Sequence, residues 1–181
     1  SVLLRMTGQL EARKGTPPDK ILELMAKELV PHIQSTDQAN VFYGVIDRRG
    51  FELTYGGVGK ASAMLLNYTT GKIQRLEWST PAFAQNFAGE IKSSTLSLNP
   101  RDRLVLCSEG VSRVQNQKGE AFGEERLAKA ILAAPRLGVH DLRNEILYQV
   151  ERFAQGKDLP QDATVVVCEV KDRVIKLAKS P

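Results

Sequence analysis

The amino-acid sequence predicts a single α+β domain with a largely antiparallel sheet. Segments of strand-like alternation occur in pairs separated by turn residues, which is the pattern of β-hairpins. The segments with helical periodicity lie before and after this strand-rich stretch, which favours α+β over a doubly wound fold. At 181 residues, of which 42% are hydrophobic, the chain is long enough for one domain with a buried core and short for two. We therefore expect residues 1–181 to form one domain.

The chain begins with two predicted helices. The first has apolar residues at helical spacing before Gly15, namely Val2, Leu3, Met6 and Leu10. The second is predicted to begin at Thr16, which is a favourable N-cap because two prolines and Asp19 follow it in the first turn. Its apolar face consists of Ile21, Leu22, Met25, Leu29 and Val30, and Pro31 ends it.

The middle of the chain changes to the period of β-strands. One hairpin is predicted from strands at 41–46 and 51–55 around the turn at 47–50, and a second from strands at 63–68 and 73–78. Residues 80–89 have no clear period and are interpreted as a loop. Strands resume at 93–98 and 104–108, and the run at 104–107 is apolar on both faces, which predicts a central strand.

Two further helices and a last strand complete the predicted order. One helix follows Gly123, and a longer one is predicted to be capped by Asp141. The apolar run at 164–168 predicts a second buried strand, with which the chain closes. The basic residues beyond it are interpreted as a solvated tail: Lys171, Arg173, Lys176 and Lys179.

Composition excludes several functional classes. The net charge of +4 comes from scattered Lys and Arg, so no basic face points to nucleic acid, and binding to nucleic acid stays a weaker alternative that would require salt-sensitive association. The two cysteines, Cys107 and Cys168, lack metal-ligand spacing and are expected to be buried, reduced thiols. No apolar stretch is long enough to span a membrane, and no secretory signal is recognisable. We expect a cytoplasmic protein without membrane contacts, and the oligomeric state stays open.

Common catalytic motifs are absent from the sequence. The run from Gly56 to Lys60 has neither the spacing nor the following Ser or Thr of a P-loop, and it is interpreted as the glycine-rich edge of a hairpin. There is no GxSxG nucleophile elbow. Of the two histidines, His32 and His140, the second stands beside Asp141 at a predicted helix start, where capping explains both residues.

Two acidic residues stand next to the two fully apolar strands. Glu109 follows the strand that ends at Ser108, and Asp162 precedes the strand that begins at Thr164. If these strands are antiparallel neighbours, both carboxylates lie at the same end of the sheet. Carboxylates gathered in this way suit Mg²⁺ or Mn²⁺, which prefer oxygen ligands. Acids at strand ends are more often simple turn residues, so the pattern alone is weak evidence for a metal site.

The order of several motifs resembles that of the SpoIIE-type serine/threonine phosphatase family, which is related to the type 2C metal-dependent protein phosphatases. The segment 99–111 (NPRDRLVLCSEGV) is similar to the family's "pGDrLllyTDGv", and the segment 160–167 (PQDATVVV) is similar to its closing "DDxTlvv" strand. The hairpin at 42–60 and the segment 118–127 also match the family's pattern, so the resemblance covers nearly the whole chain. It implies a mostly antiparallel β-sandwich flanked by helices and two metal ions, Mn²⁺ or Mg²⁺, that activate a water for attack on phosphorus.

The departures from the family's pattern bear on catalysis. Glu109 takes the position of the metal-binding aspartate in "TDG", and its carboxylate is one methylene farther from the backbone. Neutral Gln161 takes the position of the aspartate in "DDxT", unless a slip of one residue makes Asp162 the ligand. Lys60 replaces the histidine of the hairpin. The family's first strands and their metal aspartates match nothing in this chain, so the resemblance implies an incomplete two-metal site in which Glu109 and Asp162 are the candidate ligands.

Two hypotheses follow from the resemblance. In the first, the chain is a regulatory domain of phosphatase fold that is catalytically impaired and acts by binding a protein in bacterial signalling. In the second, it is an active Mn²⁺- or Mg²⁺-dependent protein serine/threonine phosphatase. The partner or substrate that the resemblance implies is a phosphoprotein such as an anti-sigma-factor antagonist.

Overall fold

The computed structural model describes residues 15–134, 138–157, 159, 162–171 and 174–179. The helix predicted over residues 2–10 lies outside the described residues, and so does Gln161. Within the described part, the helices are α1 (Pro18–Leu29), α2 (Glu109–Ser112), α3 (Gly123–Ala133) and α4 (Val139–Ala154). The strands are β1 (Val41–Asp47), β2 (Glu52–Val58), β3 (Ala61–Leu66), β4 (Ile73–Arg75), β5 (Ser94–Ser97), β6 (Arg103–Ser108), β7 (Val165–Lys171) and β8 (Val174–Lys179).

The described residues fall into two compact units. The first contains residues 15–61 and Glu77–Leu98, and the second contains Ser62–Leu76 and the described residues from Asn99 onward. The pairs β1–β2, β2–β5, β3–β4, β6–β7 and β7–β8 are all antiparallel. The predicted α+β class with antiparallel sheet is therefore confirmed. The prediction of one domain over 1–181 stays a prediction.

The first unit consists of a three-stranded sheet, in the order β1-β2-β5, and helix α1. The turn between β1 and β2 is closed by Asp47, whose carboxylate accepts hydrogen bonds from the backbone N–H groups of Arg49 and Gly50. Ser93 fixes the start of α1, because its hydroxyl accepts from the N–H of Asp19 and donates to the carboxylate of the same residue. The unit has its own apolar core: Ile21, Leu22, Met25, Ala26, Val58, Phe83 and Ile91.

The glycine-rich run forms the end of β2 and the turn to β3, as the sequence predicted. A side chain at Gly57 would collide with the indole ring of Trp78, because a Cβ there would lie 2.3 Å from the ring. The indole N–H donates to the carbonyl of Gly59, which has a φ of 71° in the turn. These glycines make room for a tryptophan, which explains their presence without a phosphate ligand.

The second unit is built on a five-stranded sheet in the order β4-β3-β6-β7-β8. Strand β6 occupies its centre, so the prediction of a central strand from the apolar run 104–107 is confirmed. Helices α3 and α4 contact each other, and α4 also contacts β7. The apolar faces of these helices pack with strands β6 and β7 to form the larger core. Its almost fully buried residues include Val105, Val111, Leu127, Ile131, Leu142, Ile146, Val165 and Val167.

Both predicted helix caps were wrong by a few residues. Helix α1 has Pro17 and not Thr16 at its N-cap, and α4 has Gly138 at its N-cap, so that Asp141 lies inside the first turn. Neither cap makes a side-chain hydrogen bond. At these ends the backbone geometry of proline and glycine sets the boundary, and Asp141 instead places a negative charge near the positive end of the helix dipole.

The end of the chain also differs from the prediction. The chain does not close with the strand at 164–168, because β8 follows it and pairs with β7 from Val166↔Lys179 to Lys171↔Val174. Lys171, Lys176 and Lys179 therefore belong to strands and not to a solvated tail, whereas Arg173 lies outside the described residues. The missed signal is the β-branched pair Val174 and Ile175, which favours a strand.

Candidate functional site

Glu109 lies where the central strand of the second unit passes into a short helix. Ser108 ends β6 with an extended backbone (φ −66°, ψ 160°), and Glu109 is the first residue of the four-residue helix α2. The sequence folds this way locally because Leu104, Val105 and Cys107 are buried in the strand, while Val111 is buried below the helix. Glu109 is itself only 7% exposed, which is uncommon for a glutamate.

Asp162 lies at the same end of the sheet as Glu109. Strands β6 and β7 are antiparallel neighbours with Cys107 opposite Val165, as the sequence argument required. Beyond this pair the backbone N–H of Ser108 donates to the carbonyl of Thr164 at 3.0 Å, so the pairing continues towards both acids. The side chain of Asp162 is exposed.

Ser108 holds the segment that carries Asp162. Its hydroxyl donates to the backbone carbonyl of Asp162 at 3.0 Å and accepts from the N–H of Thr164 at 2.9 Å. Three hydrogen bonds of Ser108 thus connect the end of β6 to the start of β7. Sequence reasoning missed this role, although the position of a serine directly before the acid was visible.

Arg113 contacts the candidate ligand. Its Nη1 lies 3.5 Å from Oε1 of Glu109, in an i,i+4 pair along and just beyond α2. The backbone of the same two residues is joined by an N–H···O bond of 3.0 Å, and the hydroxyl of Ser112 also donates to the carbonyl of Glu109. The guanidinium therefore balances charge at a carboxylate that the resemblance assigns to a metal ion. Sequence reasoning missed Arg113 because it predicted no helix after Ser108, so the i,i+4 spacing carried no meaning.

The described residues do not by themselves fit a metal ion. No group of three or more His, Cys, Asp or Glu side chains within the described ranges is arranged to hold one. Mg²⁺ and Mn²⁺ need several oxygen ligands, and here one carboxylate is paired with a guanidinium while the other is exposed. Lys60, the departure in the hairpin, lies in the β2–β3 turn of the first unit, where its N–H donates to Asn40.

The two thiols offer no nucleophile. Burial raises the pKa of Cys107 to about 12, with a smaller effect from the negative charge of Glu124, and burial raises the pKa of Cys168 to about 11. Both cysteines are free, in agreement with the prediction of reduced thiols, although Cys168 is only half-buried. At neutral pH both thiols are protonated, and only the thiolate reacts as a nucleophile.

Similar solved structures define the class of fold. The SiaA-PP2C domain of Pseudomonas aeruginosa superposes with a TM-score of 0.76 at 16% identity, over 92% of this chain and 66% of that chain. The phosphatase domain of the cell fate determinant SpoIIE from Bacillus subtilis, presoaked with Mn, gives a TM-score of 0.63 at 13% identity, over 94% of this chain and 72% of that chain. The chain therefore has the fold of PP2C phosphatase domains, as the resemblance implied.

The family follows from the sequence profile. The profile of Stage II sporulation protein E (SpoIIE) matches residues 1–171, and the chain belongs to this family. A curated relative, Protein IcfG of Synechocystis sp., is 28% identical over 124 residues, which is 67% of this chain and 19% of that protein. The chain thus spans about a fifth of this relative's length. In the described ranges, the helices are too short or too polar to cross a membrane.

Proposed function

We propose that this chain is a regulatory domain of the SpoIIE-type phosphatase fold, which is catalytically impaired and acts by binding another protein in bacterial signalling. The partner that the family suggests is a phosphoprotein such as an anti-sigma-factor antagonist, met in the cytoplasm. The observation that carries the proposal is the contact between Glu109 and Arg113. A metal ion at Glu109 would have to share the carboxylate with a cation that the fold already provides.

Electrostatics explains why this contact opposes metal binding. A guanidinium 3.5 Å from a carboxylate oxygen repels a divalent cation that approaches the same oxygen. Arg113 can move away, because its side chain is 57% exposed, but its departure would leave the buried carboxylate of Glu109 with less compensating charge. The longer side chain of Glu109 adds a geometric obstacle, since metal–ligand distances tolerate only about ±0.2 Å.

The second candidate function is an active, metal-dependent protein serine/threonine phosphatase. Family membership and the similarity to a phosphatase domain studied with Mn favour it. In that case Glu109 and Asp162 would be metal ligands, and the other ligands would have to come from outside the described residues. The bound metal would supply a water of lowered pKa for attack on the phosphoryl group. The substrate would then be the phosphoprotein that the first hypothesis treats as a binding partner.

Calorimetric titration with Mn²⁺ distinguishes the two functions. We would titrate the full natural polypeptide together with Glu109→Ala, Asp162→Ala and the matched control Asp47→Ala, which removes an exposed carboxylate of the first unit. The proposal expects no saturable binding up to about millimolar Mn²⁺, or weak binding that all variants share. Saturable binding that Asp47→Ala retains and the other two variants lose would overturn it.

An activity assay completes this test. Release of phosphate from a phosphoserine peptide is measured with and without Mn²⁺, on the same four proteins. We expect no metal-dependent release above that of Glu109→Ala. Metal-dependent turnover that disappears in Glu109→Ala and persists in Asp47→Ala would establish the phosphatase instead.

A further inference from the structure

The second unit contains a basic groove between α3 and α4 that includes neither Glu109 nor Asp162. Its volume is about 460 Å³, within the range of ligand-binding pockets. The lining residues include three cations, two phenylalanines and no acid: Asn116, Phe122, Arg126, Lys129, Ala130, Ala133, Gln149, Arg152, Phe153 and Gln155. A groove with an apolar floor and a cationic rim suits a ligand that is both anionic and apolar.

Arg126 is a fixed part of this groove. Its guanidinium lies over the ring of Phe153, 4.7 Å from the ring centre, and Nη1 donates to the backbone carbonyl of Ala121 at 2.7 Å. Glu120 lies 3.3 Å from Nη2 and balances part of its charge. Arg126 therefore shapes the groove and keeps Phe153 in place, while much of its charge is already compensated within the chain.

Lys129 and Arg152 supply the charge that is available to a ligand. Both side chains are exposed, and neither makes a salt bridge or hydrogen bond with any part of the chain that the structure describes. The nearest acids on α3, Glu124 and Glu125, lie within salt-bridge distance of Arg75, and Lys129 adds a weaker electrostatic attraction to Glu125. Two exposed cations without a salt-bridge partner in the described residues thus line one groove between two helices that contact each other.

Two exposed apolar side chains stand beside these cations. Leu132 is 45% exposed and follows Lys129 by three residues on α3, whereas Tyr148 is 54% exposed and precedes Arg152 by four residues on α4. Residues at these spacings are neighbours on a helix surface. Each of these two cations therefore has a large exposed apolar neighbour on its own helix, a combination that favours a protein ligand over a small anion.

From this arrangement we infer that the groove between α3 and α4 binds an acidic segment of a partner protein, with carboxylates at Lys129 and Arg152 and apolar side chains against the exposed Leu132 and Tyr148. Charge complementarity selects the occupant, because the rim is cationic and the lining carries no acid. The inference rests on the proposed protein-binding role and gives it a surface and a partner chemistry. It does not depend on the outcome of the Mn²⁺ titration, which probes residues outside the groove.

The test measures fluorescence anisotropy of a labelled peptide of glutamates that carries one phenylalanine and one leucine. The variant Lys129→Glu/Arg152→Glu reverses both rim charges, and Lys72→Glu/Lys171→Glu makes the same charge change at exposed sites elsewhere on this unit. We expect the dissociation constant to rise about tenfold or more in the groove variant, equivalent to about 1.4 kcal/mol, and to change little in the control. Leu132→Ser/Tyr148→Ser should weaken binding without altering the charge.

Further ligands separate acidic protein from other anions. A peptide with glutamine in place of glutamate should bind at least about tenfold more weakly than the acidic one, since the rim charges then have no counterpart. The inference is overturned if the acidic peptide does not bind, if both double charge reversals weaken it equally, or if a single-stranded oligonucleotide of equal charge binds as tightly. Near-ultraviolet circular dichroism confirms that each variant is folded. If the acidic peptide does not bind a protein that also shows neither saturable Mn²⁺ binding nor metal-dependent phosphate release, the groove is rejected and the proposed function stands.

Discussion

Asp102 is a fully buried carboxylate whose removal should destabilise the second unit strongly. It is 0% exposed, its Oδ1 accepts from the backbone N–H of Tyr68 at 2.9 Å, and its Oδ2 accepts from the N–H and the side-chain amide of Asn99 at 2.8 and 3.2 Å. Its own carbonyl accepts from the N–H of Val170 at 3.0 Å. One residue thus joins the turn after β3, the turn before β6 and the end of β7.

The expected cost follows from these contacts. Hydrogen bonds to a charged group contribute about 1.5–3 kcal/mol each, and three are lost in Asp102→Ala. Because two of them share one oxygen and water can enter the space left behind, we expect a loss of about 3–5 kcal/mol rather than the full sum. At about 2–4 °C per kcal/mol for a chain of this size, the melting temperature should fall by roughly 10 °C. Asp102→Asn should lose less, since its remaining oxygen still accepts one bond.

Asp47→Ala provides the matched control. Asp47 also accepts two backbone N–H bonds in a turn, from Arg49 and Gly50, but its side chain is exposed. Water replaces those bonds after truncation, so the loss should stay below about 1 kcal/mol. Urea unfolding followed by far-ultraviolet circular dichroism measures all three variants against the parent. If the losses in free energy of unfolding of Asp102→Ala and Asp47→Ala differ by less than about 1 kcal/mol, burial of the carboxylate does not strengthen the contribution of its hydrogen bonds.

Three further predictions concern the two cysteines and a buried ion pair of the second unit. Because burial raises the pKa of Cys107 and Cys168, a thiol-specific reagent at about pH 8 should label the native protein slowly and the unfolded protein at once. Rapid labelling of Cys107 in the native protein would show that this thiol is not buried in the core of the second unit. The free energy of unfolding should also fall as the pH rises above 9.0, the ordinary pKa of a thiol, towards the raised pKa values of the folded chain. In this range the unfolded chain releases thiol protons that the folded chain keeps. Arg103 pairs across the strands with the mostly buried Glu169, with 2.8 Å between Nε and Oε2. Arg103→Met should lower the free energy of unfolding by about 3 kcal/mol, because the carboxylate of Glu169 loses its compensating charge, and Arg103→Met/Glu169→Leu should recover much of that loss. A double-mutant cycle measured by urea unfolding that shows no coupling between the two residues would contradict this prediction.

The sequence predicted the strands well where burial is two-sided. The apolar runs at 104–107 and 164–168 correspond to β6 and β7, because a strand covered on both faces tolerates few polar residues and is therefore visible without context. The second hairpin was predicted too long, since β4 ends at Arg75 and the following residues lead to Trp78 and its place against Gly57. That packing joins residues 21 positions apart and leaves no periodic signal.

The candidate site was predictable in part. The two acids could be placed at one end of a sheet because only the antiparallel pairing of two strands had to be assumed. Whether they bind a metal stays a prediction. The contacts of Ser108 and Arg113 could not be read from the sequence, since they depend on the turn after β6 being a helix and on the register Cys107↔Val165. Side-chain contacts of this kind follow from geometry that local propensity does not determine.

The motifs that identify the family serve the fold more than the chemistry. Asp102 belongs to the "pGDrLlly"-like segment, yet its carboxylate is consumed by hydrogen bonds within the protein. Phe122 and Leu127, in the segment 118–127 that also matches the family, are buried core residues. A chain that keeps these positions keeps the PP2C fold whether or not it hydrolyses phosphate. Family membership alone therefore does not decide whether this chain is catalytic. The observation that bears on catalysis is local: Arg113 contacts Glu109, the glutamate at the position that the resemblance assigns to a metal ligand.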